Sequence, residues 1–220
     1  MKLIKTNISS RANLIDSYLT DYFGLTDKTL IDEIKSISHV KTFKKKSYIL
    51  RNGEEIGDIP FLISGIVKII TFTEEDQEYI SEIYCGPCGP VAIVDFHLFR
   101  SMTASIDAVS LTETQILLIN ASKLRDVVDR YLEMQRTVSD VYIRTLKQVL
   151  DHNRLLNQYN HDLFGFYQYY ADYYPSVIAN STLEELSSFF GVSIYQLSRV
   201  RSRYKKENCQ KFNEILALKE

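Results

Sequence analysis

The chain has 220 residues, enough for one large or two modest domains, and its hydrophobic content of 45% is ordinary for a globular protein. The net charge is −2, from 26 Lys and Arg against 28 Asp and Glu, so the overall charge gives no sign of nucleic-acid binding. No stretch approaches the roughly 20 apolar residues of a membrane span, and no N-terminal run resembles a signal peptide. Three cysteines are too few for a secreted disulfide scaffold, so we expect a cytoplasmic protein with reduced thiols and no membrane partner.

The first part of the chain predicts two helices. Apolar residues recur at helical spacing from residue 9, and a second helix is predicted from Thr26 to about residue 38. We expect both helices to pack against the segment that follows. The apolar residues that carry this pattern are Leu14, Ile15, Tyr18, Leu19, Phe23, Leu30, Ile31, Ile34 and Ile37.

Between residues 40 and 120 the pattern changes to short runs that are β-branched or aromatic and partly alternate. Turn signals such as Asn52-Gly53 and Ser64-Gly65 separate them. Strands spaced about 8–12 residues apart predict an all-β sandwich or barrel. The predicted strands are 40–43, 47–50, 61–63, 66–72, 78–84, 105–109 and 114–119.

Helix is predicted again for 121–131 and for a long segment, 133–157, which would extend about 37 Å at 1.5 Å per residue. The long helix has two apolar faces, a near-heptad series and a second series to one side, Ile143, Leu146 and Leu150. One face can cover the β domain, and the other can pair with the same helix of a second chain. We therefore expect a homodimer formed through residues 134–156, with a buried helix of a monomer as the alternative.

Residues 180–206 have the pattern of a helix-turn-helix. Thr182 and Glu185 form one capping box, and Ser193 and Gln196 form a second. Gly191 between them ends the first helix. Two capped helices joined by so short a turn meet at a steep angle. The aromatic-rich segment 161–174 is expected to pack behind this pair.

The second of these helices is strongly basic, since five of the eight residues from Arg199 to Lys206 are Arg or Lys. Such a helix can enter a major groove, where arginine pairs with guanine and the other cations neutralise phosphates. The alternative is a solvated helix in an all-helical domain. The segment 209–218 that follows could be a β-hairpin or a short helix. The candidate DNA-contacting residues are Ser193, Ile194, Tyr195, Gln196, Ser198, Arg199, Arg203, Lys205 and Lys206.

Taken together, the order of elements and several local motifs resemble the Crp/Fnr family of bacterial transcription regulators over essentially the whole chain. The motifs are Ser47-Tyr-Ile-Leu-Arg-Asn-Gly-Glu-Glu, Phe61-Leu-Ile-Ser-Gly-Ile-Val-Lys-Ile, Thr103-Ala-Ser-Ile-Asp-Ala and the helix-turn-helix 182–200. The resemblance implies an α+β fold with a jelly-roll-like β-roll sensor, a long dimerisation helix and a C-terminal winged helix-turn-helix. It favours the hairpin reading of 209–218, as a short wing.

The same resemblance implies a domain division and a function. The domains would be 1–132 for the N-terminal helices and sensor, 133–160 for the dimerisation helix and 161–220 for the DNA-binding domain. The function would be sequence-specific transcription regulation by a homodimer on a palindromic operator, with RNA polymerase as a candidate partner and no enzymatic activity. The family's base-reading positions correspond to Ile194, Tyr195 and Arg199.

The effector-binding motif departs from that of the cyclic-nucleotide-binding members. Those members carry Gly-Glu early in the cassette and Arg directly before Ser/Thr-Ala, where this chain has Gly89-Pro90 and Met102-Thr103. Pro90 has no acceptor side chain and Met102 has no charge, while Arg100 lies off register. We therefore expect a chain without the cyclic-nucleotide-binding signature, whose effector is another molecule or which has none. The candidate pocket residues are Gly89, Pro90, Arg100, Met102 and Thr103.

No cofactor, metal or catalytic residue is expected. Three cysteines cannot supply the four ligands of the family's iron–sulfur branch, although a single histidine such as His97 or His152 could serve a haem branch. Cys85-Gly-Pro-Cys88 has the sequence of a thioredoxin-type redox motif but lies after a strand and not at a helix start. Two small buried thiols are the favoured reading, with a regulatory disulfide or zinc binding as alternatives. The competing function is a redox or small-molecule sensor that acts through protein interaction.

Overall fold

The N-terminal segment folds as the predicted helices in the computed structural model, which describes residues 11–89, 103–159 and 162–219. Helix α1, Arg11–Ser17, continues into a π-helical turn, Tyr18–Tyr22, and α2 is Lys28–Ser36. Asp27 starts α2, because its side chain accepts hydrogen bonds from the N–H groups of Thr29 and Leu30. The apolar stripe of α2 is buried, so these helices cover the domain that follows.

Within the described residues, seven strands form two antiparallel sheets, as the alternating runs predicted. The strands are β1 Ser38–Phe43, β2 Tyr48–Leu50, β3 Asp58–Ser64, β4 Ile66–Phe72, β5 Glu78–Cys85, β6 Asp107–Ser110 and β7 Thr114–Asn120. One sheet has the order β1-β7-β3 and the other has the order β2-β6-β4-β5. Neighbouring strands in these two orders pair antiparallel.

The core of this β-roll lies between the two sheets and under the N-terminal helices. Val67 and Ile69 of β4 and Tyr84 of β5 belong to it, together with Ile116 and Leu117 of β7. Successive side chains of a strand point to opposite faces. The alternate residues of β4 therefore lie on the outer face of the four-stranded sheet, where they need a second cover.

Helix α3, Ala121–Arg130, and helix α4, Leu132–Gln158, follow the last strand as predicted. With 27 residues, α4 is about 40 Å long. Met134 and Val141 in its first half are buried in the β-roll core. Leu155 and Leu156 near its end pack against a second core, formed by the C-terminal helices.

Five helices and the short turns between them make up the described residues 162–219. Its helices are α5 Leu163–Tyr173, α6 Pro175–Asn180, α7 Leu183–Phe190, α8 Ile194–Glu207 and α9 Cys209–Leu216. Phe166, Tyr167 and Tyr170 of α5 are buried behind α7 and α8, as the aromatic-rich sequence predicted.

The predicted wing is wrong, because Cys209–Leu216 forms helix α9 and not a β-hairpin. Among the described residues no strand follows Asn120. The physical reason lies in the spacing of the buried residues: Phe212 and Ile215 are three apart, which places both on one face of a helix but on opposite faces of a strand. Phe212 then packs beside Tyr204 of α8.

The C-terminal helices share their core with the outer face of the four-stranded sheet. Ile66 and Ile70 of β4 and Ile80 and Ile83 of β5 lie in one cluster with residues of α5 to α9. Burying these strand residues stabilises the contact, at about 25 cal/mol per Å² of apolar surface removed from water. The sheet is thus covered on both faces.

His152 of α4 is held in the aromatic part of this second core. Its ring stacks on Phe189 with centroids 4.4 Å apart, and its Nδ1 lies 2.7 Å from the Tyr170 hydroxyl. Burial lowers the pKa of His152 to about 4. The imidazole is therefore neutral in the fold, whereas in the unfolded chain it takes up a proton below about pH 6.5.

We expect His152→Phe to reduce the acid sensitivity of the fold. Between pH 6.5 and pH 4 the unfolded wild type binds a proton that the folded wild type does not, so its stability falls as the pH falls, by at most about 3.4 kcal/mol from this group. Phenylalanine keeps the stacking on Phe189 and cannot titrate. Urea unfolding at several pH values in this window measures the difference. His39→Phe, at an exposed position, is the control, and equal pH slopes for wild type and His152→Phe would contradict the assignment.

Candidate nucleic-acid interface

Both predicted capping boxes are present in the helix-turn-helix formed by α7 and α8. The Thr182 Oγ1 accepts a hydrogen bond from the Glu185 N–H at 3.1 Å, and Glu185 Oε2 accepts one from the Thr182 N–H at 2.7 Å. At the start of α8, the Ser193 Oγ accepts from the Gln196 N–H at 3.3 Å, and Gln196 Oε1 accepts from the Ser193 N–H at 3.0 Å. Each box satisfies N–H groups that the first helical turn leaves unpaired.

The turn between the helices depends on Gly191, whose φ of +65° is in the left-handed region. The Gly191 N–H donates to the Ser188 carbonyl at 3.2 Å, and the Val192 N–H donates to the Ser187 carbonyl at 3.0 Å. These two bonds close a Schellman motif. They end α7 and bring the chain to Ser193 in position to start α8.

Helix α8 separates a buried side from an open side. Leu197 and Tyr204 are buried against the other helices, and α8 packs on α5, α7 and α9. The open side is a shallow surface at helical spacing, which we call the recognition face. It consists of Tyr195, Ser198, Arg199, Ser202, Arg203, Lys206 and Glu207.

The basic side chains of α8 differ in how far they are committed to other contacts. The Arg203 Nε lies 2.7 Å from Glu207 Oε1, and its guanidinium carbon is 4.0 Å from the centre of the Phe164 ring. Arg201 instead turns toward Phe212, at 5.6 Å. Arg199 makes only a loose contact with the Tyr195 ring, at 5.7 Å. Arg199 is thus the arginine best able to reorient toward another molecule.

Most of the predicted contact residues are exposed on α8, and the recognition face contains two residues that were not among them. Ile194 and Tyr195 are exposed, and Tyr195 reaches 71%. The side chains of Ser193 and Gln196 are occupied in the cap, which leaves them less free than the sequence suggested. Ser202 belongs to the recognition face and was missed, although its spacing of three from Arg199 and four from Ser198 could have identified it.

The predicted effector pocket is described only at its two ends. Thr103 forms an isolated bridge with Glu55, and the Ala104 N–H donates to the Glu54 carbonyl at 2.9 Å. Gly89 accepts from the Leu62 N–H across the end of β3, at 3.5 Å. Pro90, Arg100, Met102 and also His97 lie outside the described residues.

Cys85 and Cys88 are free thiols that lie in different cores. Cys88 is buried in the β-roll core, whereas Cys85 packs against the core of the C-terminal helices. Burial raises the pKa of Cys85 to about 11, and burial next to Cys85 and Glu82 raises the pKa of Cys88 further. Between them, Gly86 lies so close to β3 that a Cβ would be 2.7 Å from the Ser64 Cα. These features favour the reading of two buried thiols in a structural turn over the alternative of a redox pair, because reactive thiols need a lowered pKa.

Comparison with known proteins identifies the domain that contains the two sheets. Residues 40–131 match the family model of the cyclic nucleotide-binding domain. Solved structures then extend the similarity to nearly the whole chain. A protein described as a transcriptional regulator of the Crp/Fnr family from Eubacterium rectale is 11% identical, with a TM-score of 0.67 over 90% of this chain and 97% of that one. The chain has the fold of the Crp/Fnr regulators.

Two further structures agree with the Crp/Fnr fold. CLP from Xanthomonas campestris, described as a c-di-GMP-responsive global regulator, is 19% identical, with a TM-score of 0.63 over 82% of this chain and 93% of that one. FixK2 from Bradyrhizobium japonicum is 13% identical, with a TM-score of 0.60 over 84% of this chain and 98% of that one. No curated protein matches the sequence significantly.

The domain match corrects one expectation. Residues 40–131 include the whole cassette, so the prediction of a chain without the cyclic-nucleotide-binding signature is not borne out. Gly89-Pro90 and Met102 depart from the pattern of the binding members, but the segment as a whole retains the character of the domain.

A polar pair inside the Crp/Fnr-type β-roll was missed from the sequence. The Tyr84 hydroxyl donates a hydrogen bond to the Glu82 carboxyl, and both residues lie on β5. Burial raises the pKa of Glu82 to about 7. Strand alternation alone could have placed Glu82 on the same face as Tyr84, but not shown that this face is the interior.

The remaining chemical expectations concern metals and membranes. Within residues 11–89, 103–159 and 162–219, no group of three or more His, Cys, Asp or Glu is arranged to hold a metal ion. His152, considered above for a haem branch, has its Nδ1 within hydrogen-bond distance of Tyr170. In the same described part of the chain, no helix combines the length and the apolar character needed to span a membrane.

We expect Gly191→Ala to destabilise the helix-turn-helix by about 1–2 kcal/mol, because an L-residue is strained in the left-handed region. Nothing lies within 4 Å of the added methyl group, so strain and not a clash would be the cause. Gly57→Ala is a matched control, since its Cβ also meets nothing within 4 Å and its φ is not positive. Equal unfolding free energies for the two variants in urea would contradict this account of the turn.

Proposed function

We propose that the protein is a sequence-specific DNA-binding transcription regulator that acts as a homodimer. The observation that carries the proposal is the recognition face of α8, which is basic, uncovered and held by two capping boxes on a compact helical core. A helix of this kind can place its N-terminal residues against base edges in a major groove. The shared fold with Crp/Fnr regulators supports the same conclusion.

In this proposal the residues of α8 have different tasks. Arg199 pairs with a guanine, for which its two-pronged guanidinium is suited. Tyr195 and Ile194 offer apolar surface to thymine methyl groups. Lys205 and Lys206 in the last turn neutralise phosphates, with an affinity that falls as salt rises. Ser198 and Ser202 add short hydroxyl groups to the same face.

A second copy of the chain is proposed to pair along α4. Ile143, Leu146 and Leu150 form a stripe on this helix and are 64%, 45% and 58% exposed. Met134 and Val141, on the other side, are already buried in the β-roll core. An apolar stripe at positions i, i+3 and i+7 is typical of a helix that pairs with another helix.

The identity of the effector is the part of the proposal on which two observations disagree, namely the residues of the cassette and the match to the domain family. Gly89-Pro90 and Met102 favour an effector other than a cyclic nucleotide, or none, whereas the matched domain family makes a cyclic nucleotide the first ligand to test. The DNA experiment below is therefore run without ligand and with cAMP or cGMP, and in reduced and oxidised buffer.

We expect selection from random duplex DNA to enrich a palindromic site whose half-sites are about one helical turn apart. Arg199→Ala should lose discrimination at one base position per half-site, worth about 1–3 kcal/mol. Lys206→Ala should weaken binding to all sequences. It should also reduce the slope of log affinity against log salt concentration by about one, the value for one lost phosphate contact. Fluorescence anisotropy on the enriched site and on scrambled DNA measures both effects.

Arg51→Ala, which removes a cation from the β-roll, is the control and should bind the enriched site as wild type does. Wild-type behaviour of Arg199→Ala on the enriched site would rule out α8 as the reading helix. Enrichment of a DNA site in only one redox state would favour Cys85 and Cys88 as a redox switch. That result would contradict the structural role that the burial of both thiols indicates.

We expect Leu146→Glu to dissociate the proposed dimer, since it places two unpaired carboxylates in an apolar contact at a cost of about 3 kcal/mol or more. Sedimentation equilibrium at micromolar concentration measures the change in mass. Leu218→Glu is a matched control, because Leu218 is 42% exposed against 45% for Leu146 and lies outside α4. A dimer that survives Leu146→Glu unchanged would show that the stripe is not the interface.

A further inference from the structure

A polar contact joins the proposed reading unit to the β-roll. The Lys68 Nζ of β4 lies 2.7 Å from Glu185 Oε1 of α7, and the two side chains are only 15% and 18% exposed. Beside this pair, the Ile80 N–H of β5 donates to the Ser188 Oγ of α7 at 2.8 Å. Both contacts connect the first helix of the helix-turn-helix to the four-stranded sheet.

The Glu185 carboxylate takes part in two structures at once. Its Oε1 accepts from Lys68, while its Oε2 accepts from the Thr182 N–H in the first capping box. Burial raises the pKa of Glu185, but the hydrogen bonds from Lys68 and Thr182 outweigh it and hold the pKa below the usual value. The carboxylate is therefore charged at neutral pH and binds both partners.

Strand β4 has the sensor interior on one face and α7 on the other. Val67 and Ile69 belong to the β-roll core, where they pair in register with Tyr84 and Glu82 of β5. Lys68 lies between them in sequence and so points to the opposite face. The interior of the β-roll and helix α7 are therefore separated only by the thickness of strand β4.

The apolar surroundings make the pair selective for one arrangement of α7 on the sheet. Ile66, Ile70 and Ile80 of the sheet and Leu186 and Phe189 of α7 lie in the same cluster. A largely buried ammonium or carboxylate is costly if its partner is removed. Sliding α7 along the sheet would break the pair, whereas the apolar contacts alone would tolerate small shifts.

We propose that Lys68 and Glu185 are positioning residues that hold α7 on β4 and so fix the orientation of α8 relative to the β-roll. In this arrangement the recognition face remains open, so the docked state is the one that binds DNA. Loosening the pair lowers operator affinity without touching a DNA-contacting residue. The effect on DNA rests on the proposed function, whereas the effect on orientation does not.

The test is a double-variant cycle of Lys68→Gln, Glu185→Gln and both together. Glutamine at 185 can still complete the capping box, so the cap is preserved while the ion pair is lost. Spin labels on the exposed Cys209 and on Lys123→Cys of α3 report the distance between the two units, in labelled chains diluted with unlabelled protein. Each single variant should broaden the distance distribution and weaken operator binding by about tenfold, within the usual range for coupled sites.

The distance distribution of the double variant should be no broader than that of either single variant, because the two residues act as one pair. Lys211→Gln is the matched control: it removes the same charge from an ion pair with Asp172 inside the C-terminal helices and should leave the distances unchanged. Ser188→Ala, which removes the acceptor of the Ile80 N–H, is a second variant in case one of the first does not fold.

Unchanged distances in every variant would overturn the proposal, as would broadened distances with unchanged operator affinity. If no operator is enriched for the wild-type protein, the function proposed above fails. In that case the distance distributions alone decide whether the pair positions α7.

Discussion

Strand β4 is buried on both faces, and the positions of the later elements depend on this constraint. Its inner residues, Val67 and Ile69, complete the β-roll core, and its outer residues, Ile66 and Ile70, complete the core of the C-terminal helices. Lys68 interrupts the apolar outer row. A cation in that place needs a partner, and Glu185 supplies it at the start of the helix-turn-helix.

Helix α4 connects the two cores and passes through three environments. Its first half is covered by the β-roll, its end packs against the C-terminal aromatic residues, and an apolar stripe between them faces outward. His152, in its last turns, lies where α4 meets α5 and α7, and its ring contacts Tyr170 and Phe189. The helix therefore has structural contacts along most of its length and a free surface in the middle.

The elements were predictable because their signals are local. The β-branched run of β4, the helical spacing of α4 and the two capping boxes each depend on residues within a few positions of one another. The wrong prediction of a hairpin at 209–218 fits the same rule, because the local spacing of apolar residues there indicated a helix. The spacing of Phe212 and Ile215 is that of one helix face, whereas the resemblance to a winged family favoured a hairpin. The Cys-Gly-Pro-Cys sequence was ambiguous for a different reason, since its chemistry depends on burial.

By itself the sequence determined the types and order of the elements before residue 209, the helix-turn-helix and the basic character of α8, because short-range periodicity and capping encode them. Only the tertiary structure decided which face of α4 is covered, which arginine of α8 has the loosest contacts and how α7 sits on the sheet. Those features depend on residues far apart in the chain, such as Lys68 and Glu185, which are separated by 117 positions. No local pattern could have paired them, because their contact arises from packing two apolar surfaces around one ion pair.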